Sequence, residues 1–171
     1  PLEKVVFGVN NELVEAKFKG MFVTAVFGKF NIETGEVNFV NAGHESIMVF
    51  DRNKNFEFIK SEMPPIGIIK YFTEAMVKSK TINLKDKTFV VYTDGVTEGY
   101  LKNGQELGAE GVKEIVSKLD TITPKNVVDS IAEKLNWGAD KLRDDITCLA
   151  LDLKNTELIN PKKIKKQDIK S

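Results

Sequence analysis

The amino-acid sequence predicts an α+β fold in which helices cover antiparallel sheet. Strand-like segments are grouped between residues 21 and 95, helix-like segments follow between 108 and 137, and one strand-like segment over 144–153 closes the domain. Strands grouped apart from helices are typical of α+β proteins, whereas α/β proteins alternate the two.

The first segment predicts a helix over residues 1–16, because its apolar residues follow helical spacing: Leu2, Val5, Val6, Val9 and Leu13. Period-two patterning then predicts a strand in "MFVTAVFGKF", and the turn "NIETGE" leads to a second strand, "VNFVNAG". "SIMVFD" and "FEFIK" predict a hairpin around "RNKN". We expect "FTEAMVKSKTINL" to be a long extended stretch, followed by the strand "KTFVVYTDG".

Two helices are predicted late in the chain. Residues 108–119 carry the apolar stripe Val112, Ile115, Val116 and Leu119. Residues 123–137 begin with Thr123, a favourable N-cap, and Pro124, which fits a first helical turn. The final segment, "DDITCLALDL", predicts the closing strand.

Composition narrows the class of protein. The 171 residues suit one domain, and 25 basic side chains balance 25 acidic ones, so no overall field favours nucleic acid or an anionic membrane. No apolar stretch approaches the roughly 20 residues that span a bilayer, so we expect no membrane contact by this segment. The only cysteine, Cys148, excludes an internal disulfide or a thiolate zinc site, and we interpret it as a small buried hydrophobe.

Acidic residues are the best candidates for chemistry. Asp94 and Glu98 follow the apolar run of "VVYTDGVTEGY", and Asp144 and Asp145 open the closing strand. Carboxylates without histidine or cysteine nearby suit Mg²⁺ or Mn²⁺ better than zinc. Asp-Gly and Asp-Asp are also common in turns and at strand ends. The acidic residues are therefore interpreted either as a cation site or as solvated turn residues. Because strand side chains alternate, we expect only one of Asp144 and Asp145 to share a site with Asp94.

The other polar features have simpler interpretations. His44 is the only histidine, no partner for general-base catalysis is evident, and we interpret it as a structural histidine at a strand end. Residues 154–171 hold six lysines and two acids and are expected to form a basic, flexible tail.

Four segments in order resemble the SpoIIE-type branch of the metal-dependent PPM serine/threonine phosphatases. These are "GMFVTAVFGKFNIETGEVNFVNAGH", "PPIGI", "VVYTDGVTEGY" and "LRDDITCLALDL", and the resemblance covers residues 1–153. It implies a four-layer α-β-β-α sandwich of two antiparallel sheets flanked by helices. It also implies hydrolysis of phosphoserine or phosphothreonine through a metal-bound water at a centre of two Mn²⁺ or Mg²⁺ ions.

By motif position, the resemblance makes Asp94 and Asp144 metal ligands, with Asp145 as a neighbour of the centre and Glu98 as a lesser candidate that serves a further metal. The implied substrate is a phosphorylated STAS-type anti-sigma-factor antagonist in a bacterial partner-switching circuit. The implied location is the cytoplasm, although upstream domains of a full-length protein could tether it to a membrane.

One departure from the family pattern stands out. The family's early Gly-Asp and D-x-x-G-H-G motifs, which supply the bridging Asp, are absent. We therefore expect residues 1–153 to be the C-terminal portion of a SpoIIE-type phosphatase domain, with little or no activity alone. Sheet edges left open would favour a homodimer or strand exchange. The alternatives are a catalytically silent phosphatase-like module that binds a partner-switching regulator and a structural α+β domain with solvated acids.

Overall fold

The computed structural model describes residues 1–16, 20–135 and 145–153. The helices are α1 (Leu2–Glu15), the single turn α2 (Asp94–Thr97), α3 (Gly108–Ser117) and α4 (Pro124–Lys134), with a 3₁₀ helix at Glu74–Met76. The strands are β1 (Ala25–Asn31), β2 (Glu36–Ala42), β3 (Ile47–Asp51), β4 (Phe56–Ile59), β5 (Lys80–Asn83), β6 (Lys87–Tyr92) and β7 (Cys148–Asp152).

The strands form two antiparallel sheets. The first sheet has the order β1-β2-β5, and the second has the order β4-β3-β6-β7. Both predicted hairpins are present: Phe27 pairs with Val40 across β1 and β2, and Ile47 pairs with Ile59 across β3 and β4. β7 returns beside β6, with Cys148 opposite Tyr92. Two of the five strand pairings are thus local hairpins, and the other three, β2 with β5, β3 with β6 and β6 with β7, join strands that are distant in the chain.

Three apolar clusters show how the layers stack. One cluster joins inward-facing residues of both sheets, among them Phe39, Val49 and Phe89. A second packs α1 through Val6 against Val40 of the first sheet. The third packs α3 and α4 against the outer face of the second sheet. The order is therefore helix, sheet, sheet, helices, which confirms the predicted four-layer α-β-β-α sandwich.

The late helices begin where the sequence predicts. The Thr123 hydroxyl accepts a hydrogen bond from the Asn126 amide at 3.1 Å, which makes Thr123 the N-cap of α4, and Pro124 occupies the first helical position. Val127 and Ile131 are buried against the second sheet. Here local capping and burial of an apolar stripe favour the same helix.

Two sequence predictions are wrong in detail. The stretch 72–84 is not continuously extended, because Glu74–Met76 forms a 3₁₀ turn and the strand starts only at Lys80. Its apolar residues Phe72 and Val77 are buried under α1, so packing against that helix overrides the extended preference. The closing strand begins at Cys148 and not at residue 144.

No helix within residues 1–16, 20–135 and 145–153 is long and apolar enough to cross a membrane. The predicted basic tail over 154–171 lies outside the described residues.

We expect the α4 cap to contribute measurably to stability. Thr123→Ala removes the only side-chain acceptor at this helix start and should lower the free energy of unfolding by about 1 kcal/mol. Urea unfolding followed by circular dichroism measures this change. Thr73→Ala is the control, because Thr73 precedes the 3₁₀ helix without a side-chain cap, and it should cost much less.

We propose that the chain self-associates through β1. This strand pairs with β2 along one edge and with no other strand in the described part of the chain, and Phe22, Phe30 and Ile32 beside it are 56%, 38% and 52% exposed. Phe30→Lys combined with Ile32→Lys should yield monomers, because strand pairing would bury two unpaired charges.

Light scattering during gel filtration measures this association. The control Val5→Lys alters an exposed apolar residue of α1 and should leave the association intact. A monomeric wild-type chain, or equal dissociation of the control, would contradict self-association through β1.

Candidate functional site

Several strand ends meet at one end of the sandwich, which we call the Asp94 end. The start of β3 lies beside the end of β6, since Met48 pairs with Val90, and the start of β7 lies there too, since Cys148 pairs with Tyr92. In the first sheet, the start of β1 lies opposite the end of β2, since Ala25 pairs with Ala42. Antiparallel pairing thus brings the connections after β2 and β6, and the segment before β7, to a common edge.

Asp94 is exposed and begins the one-turn helix α2, where the sequence predicts the end of a strand and an Asp-Gly turn. Its Oδ1 accepts a hydrogen bond from the Gly95 amide at 2.9 Å. Its carbonyl oxygen accepts from the Thr97 hydroxyl at 3.1 Å and from the Glu98 amide at 2.7 Å. The exposed Glu98 stands four positions after Asp94 and so lies on the same side of this turn.

Thr93 joins the end of β6 to the segment before β7, and we call this contact the Thr93 clasp. The Thr93 amide donates to the Thr147 carbonyl oxygen at 3.0 Å, and the Thr147 amide donates to the Thr93 hydroxyl at 3.0 Å. The same hydroxyl donates to the Asp145 carbonyl oxygen at 3.1 Å. Three hydrogen bonds, one to Asp145 and two to Thr147, therefore hold residues 145–147 beside the turn that carries Asp94.

Gly95 makes the closest approach in this contact. A Cβ atom at Gly95 would lie 2.4 Å from the Asp145 carbonyl oxygen and 3.4 Å from Cγ1 of Ile146. No real side chain fits at 2.4 Å, so only glycine allows the two backbones to approach this closely. The Asp-Gly dipeptide therefore does more than form a turn, because the missing side chain of Gly95 leaves room for the backbone of Asp145.

The structure brings together three of the four acidic residues predicted as site candidates, and the fourth, Asp144, lies outside the described residues. Asp94, Glu98 and Asp145 are all exposed at the Asp94 end. The alternation argument for Asp144 and Asp145 does not apply, because β7 starts three residues after Asp145.

His44 lies in a rigid connection between β2 and β3. The Asn41 side chain accepts from the His44 amide at 2.9 Å and donates to the Glu45 carbonyl oxygen at 2.9 Å. The Gly43 amide donates to the Ser61 hydroxyl at 2.8 Å. The imidazole Nδ1 of His44 is 3.1 Å from the Thr24 hydroxyl oxygen, which agrees with the structural role predicted for this histidine.

Two neighbouring groups are poorly suited to proton transfer or nucleophilic attack. Burial, with smaller contributions from Glu45 and Cys148, raises the pKa of Tyr92 well above its usual range, so its hydroxyl stays neutral. Burial also raises the pKa of the Cys148 thiol to about 11, which keeps it protonated at neutral pH. This agrees with the interpretation of Cys148 as a packing residue.

The donor set suits a hard cation. Asp94, Glu98 and Asp145 offer only oxygen atoms, which Mg²⁺ and Mn²⁺ prefer. The gap that Gly95 leaves also lets a main-chain carbonyl oxygen approach the Asp94 turn. Among the described residues, however, no group of three His, Cys, Asp or Glu side chains converges closely enough to hold a metal ion. The carboxylates of the described residues therefore do not form a metal site by themselves.

Sequence reasoning missed the residues that build the site. Thr93, Asn41 and Ser61 were not candidates, although their side chains make the hydrogen bonds that fix the two connections at the Asp94 end. The only local signal was their position at or near strand ends. Several of their partners are distant in the chain, 20 positions for Ser61 with Asn41 and 52 to 54 positions for Thr93, so local patterns do not reveal these contacts.

Comparison with known proteins identifies a matching family and a related protein. Residues 1–154 match the profile of the family described as stage II sporulation protein E (SpoIIE). Protein IcfG of Synechocystis sp. is 27% identical over 133 residues, which are 77% of this chain and 20% of IcfG.

Two solved structures share the fold. The phosphatase domain of SpoIIE from Bacillus subtilis, presoaked with Mn, matches with a TM-score of 0.61 and 20% identity over 88% of this chain and 65% of that chain. RsbX in complex with magnesium matches with a TM-score of 0.60 and 14% identity over 88% of this chain and 63% of that chain.

The chain thus spans less than two thirds of these relatives' own lengths. The profile match nevertheless extends from residue 1 to the end of the described residues and includes the Asp94 turn and the Thr93 clasp. The chain belongs to the SpoIIE family of PPM phosphatase domains.

Proposed function

We propose that this chain contributes the Asp94 end to a metal-dependent protein serine/threonine phosphatase. The observation that carries the proposal is the Thr93 clasp, which fixes the backbone of Asp145 beside the Asp94 turn. Family membership supports a role for these two acidic segments in phosphate hydrolysis, because solved members of the family are phosphatase domains.

The roles of the residues follow from their positions in the structure and, for Asp144, from its place in the family motif. Asp94, with Asp144 and Asp145, would hold Mn²⁺ or Mg²⁺, and Glu98 stands on the same side of the turn. Such a cation supplies positive charge for the phosphoryl oxygens and acidifies a water molecule. Thr93 and Gly95 act as positioning residues, because they hold the two acidic segments together without contributing a charge.

A phosphorylated STAS-type regulatory protein is the substrate that we propose, in the cytoplasm. Support comes from the SpoIIE family match and from the exposure of Asp94, Glu98 and Asp145. Exposed carboxylates at the edge of a sandwich can reach a phosphoserine or phosphothreonine on the surface of a folded protein. A deep enclosed pocket would instead favour a small molecule.

A catalytically silent module that binds a partner-switching regulator is the second candidate. It is favoured by one observation: the described residues contain no group of three converging metal ligands. Hydrolysis separates the two candidates, because the silent module would bind its partner without releasing phosphate.

We expect Mn²⁺ to bind the 171-residue chain through Asp94. Asp94→Asn removes one negative charge and one oxygen donor and should weaken binding roughly tenfold or more in a calorimetric titration. The control Asp129→Asn alters an exposed carboxylate on α4 that pairs with Lys125, and it should leave Mn²⁺ affinity unchanged.

Phosphate release from a phosphoserine peptide in the same buffer tests the enzyme. Mn²⁺-stimulated release that Asp94→Asn abolishes and Asp129→Asn preserves would support the phosphatase and contradict the expectation that residues 1–153 have little or no activity alone. Mn²⁺ binding that is indifferent to Asp94→Asn would contradict the proposed site.

We also expect Gly95→Ala to disrupt the site without removing a ligand. The added Cβ would overlap the Asp145 carbonyl oxygen, so the two segments must separate and both Mn²⁺ affinity and stability should fall. The control Gly8→Ala places a Cβ where no atom lies within 4 Å, on helix α1, and should raise stability by up to about 1 kcal/mol. Unchanged Mn²⁺ affinity in Gly95→Ala would show that the close approach is dispensable.

A further inference from the structure

A small crevice with lysines on its rim opens near the Asp94 end, between the edge strands β4 and β5, and we call it the lysine crevice. Its polar rim consists of Asn41, Lys60, Glu62, Lys78 and Lys80, above an apolar floor from β2 and β4. The space inside is about 10 Å³, which admits a single water molecule. The crevice is therefore a surface for side-chain contacts and cannot enclose a ligand.

The rim carries excess positive charge. The Lys80 ammonium lies 2.7 Å from the Glu62 carboxylate, so these two charges offset each other. Lys60 and Lys78 are exposed, and neither forms an ion pair with another residue in the described ranges. Two lysines are thus available to an anionic partner, on a protein whose formal net charge is zero.

Strand pairing places the lysine crevice at the same end of the second sheet as Asp94. β3 runs antiparallel to both β4 and β6, so its start lies beside Ile59 and Lys60 on one flank and beside Tyr92 on the other. β4 and β6 are two strand spacings apart, about 10 Å. A bound protein segment could therefore contact Asp94 and Lys60 together.

The connection between the two places is rigid. The Ser61 hydroxyl oxygen, next to Lys60 in the chain, lies 2.8 Å from the Asn41 carbonyl oxygen and 2.7 Å from the Met63 carbonyl oxygen, and these two acceptors share its single proton. Asn41 is only 5% exposed, and its side chain holds the connection that carries His44. The spacing between the lysines and the start of β3 is thereby fixed by the fold.

We propose that the lysine crevice docks acidic side chains that flank the phosphorylated residue of the protein substrate. The inference rests on the proposed function, since it places the phosphorylated residue at Asp94. An extended peptide advances about 3.3 to 3.6 Å per residue, so about 10 Å corresponds to about three residues. The preferred substrate therefore carries Asp or Glu about three positions from its phosphoserine or phosphothreonine.

A binding assay that needs no catalysis tests this docking. The probe is a fluorescein-labelled phosphoserine peptide with Glu three and four positions on either side, compared with the same peptide carrying Gln there. Anisotropy is measured with the 171-residue chain at low ionic strength in EDTA. We expect the Glu peptide to bind about tenfold more tightly, and salt to reduce the difference, because the lysines are exposed.

Reversing the charges of Lys60 and Lys78 tests whether these lysines cause the preference for the Glu peptide. Lys60→Glu combined with Lys78→Glu should abolish the preference for the Glu peptide. The matched control is Lys54→Glu combined with Lys85→Glu, which changes the net charge equally but lies in the turns at the opposite end of the sandwich. A midpoint of thermal unfolding equal to that of the wild type establishes that each double variant is folded.

The outcomes separate this inference from the proposed function. No preference in the wild type, or equal loss in both double variants, would overturn docking at the lysine crevice. Docking with no Mn²⁺-dependent phosphate release would leave the docking standing and favour the catalytically silent module. Where phosphate is released, Lys60→Glu with Lys78→Glu should raise KM for the Glu peptide and leave kcat unchanged, and an unchanged KM would contradict only the docking.

Discussion

The contact between the Thr93–Gly95 turn and residues 145–147 is the interaction on which the functional end of this protein depends. It combines three hydrogen bonds made by one threonine with a backbone approach that only glycine permits. Without it, the two acidic segments would be separate strand ends some fifty positions apart in the chain. Because β7 also completes the second sheet, the contact that forms the site forms part of the fold as well.

The sandwich itself provides the rigid frame for this contact. Both faces of the second sheet are covered, one by the first sheet and the other by α3 and α4. Tyr92 is 1% exposed, and only two residues later Asp94 is exposed to solvent. This abrupt change lets a carboxylate project from an immobile base, which is what a preorganised cation site requires, because its ligands must not rearrange when the ion binds.

Charge is distributed unevenly around the Asp94 end, although the whole chain is neutral. Carboxylates are concentrated where β6 ends and β7 begins, whereas Lys60 and Lys78 lie on the rim of the lysine crevice between β4 and β5. The connection that carries His44 lies at the start of β3, between them in the sheet order, and is held by the buried side chain of Asn41. The proposed phosphorylated acidic substrate would suit such a surface, since the lysines and a cation held by the carboxylates would both attract it.

The sequence alone determined the fold class, the hairpins, the cap of α4 and the acidic candidates, because these depend on local periodicity, turn residues and N-cap chemistry. Four motifs in a fixed order along the chain also indicated the family. Tertiary structure decided what local patterns do not encode. The 3₁₀ turn at Glu74–Met76 follows from packing of Phe72 and Val77 under α1, and the late start of β7 accompanies the Thr93 clasp. The roles of Thr93 and Gly95 appear only when distant segments meet, since the hydrogen bonds and the close approach that define them join residues about 50 positions apart in the chain.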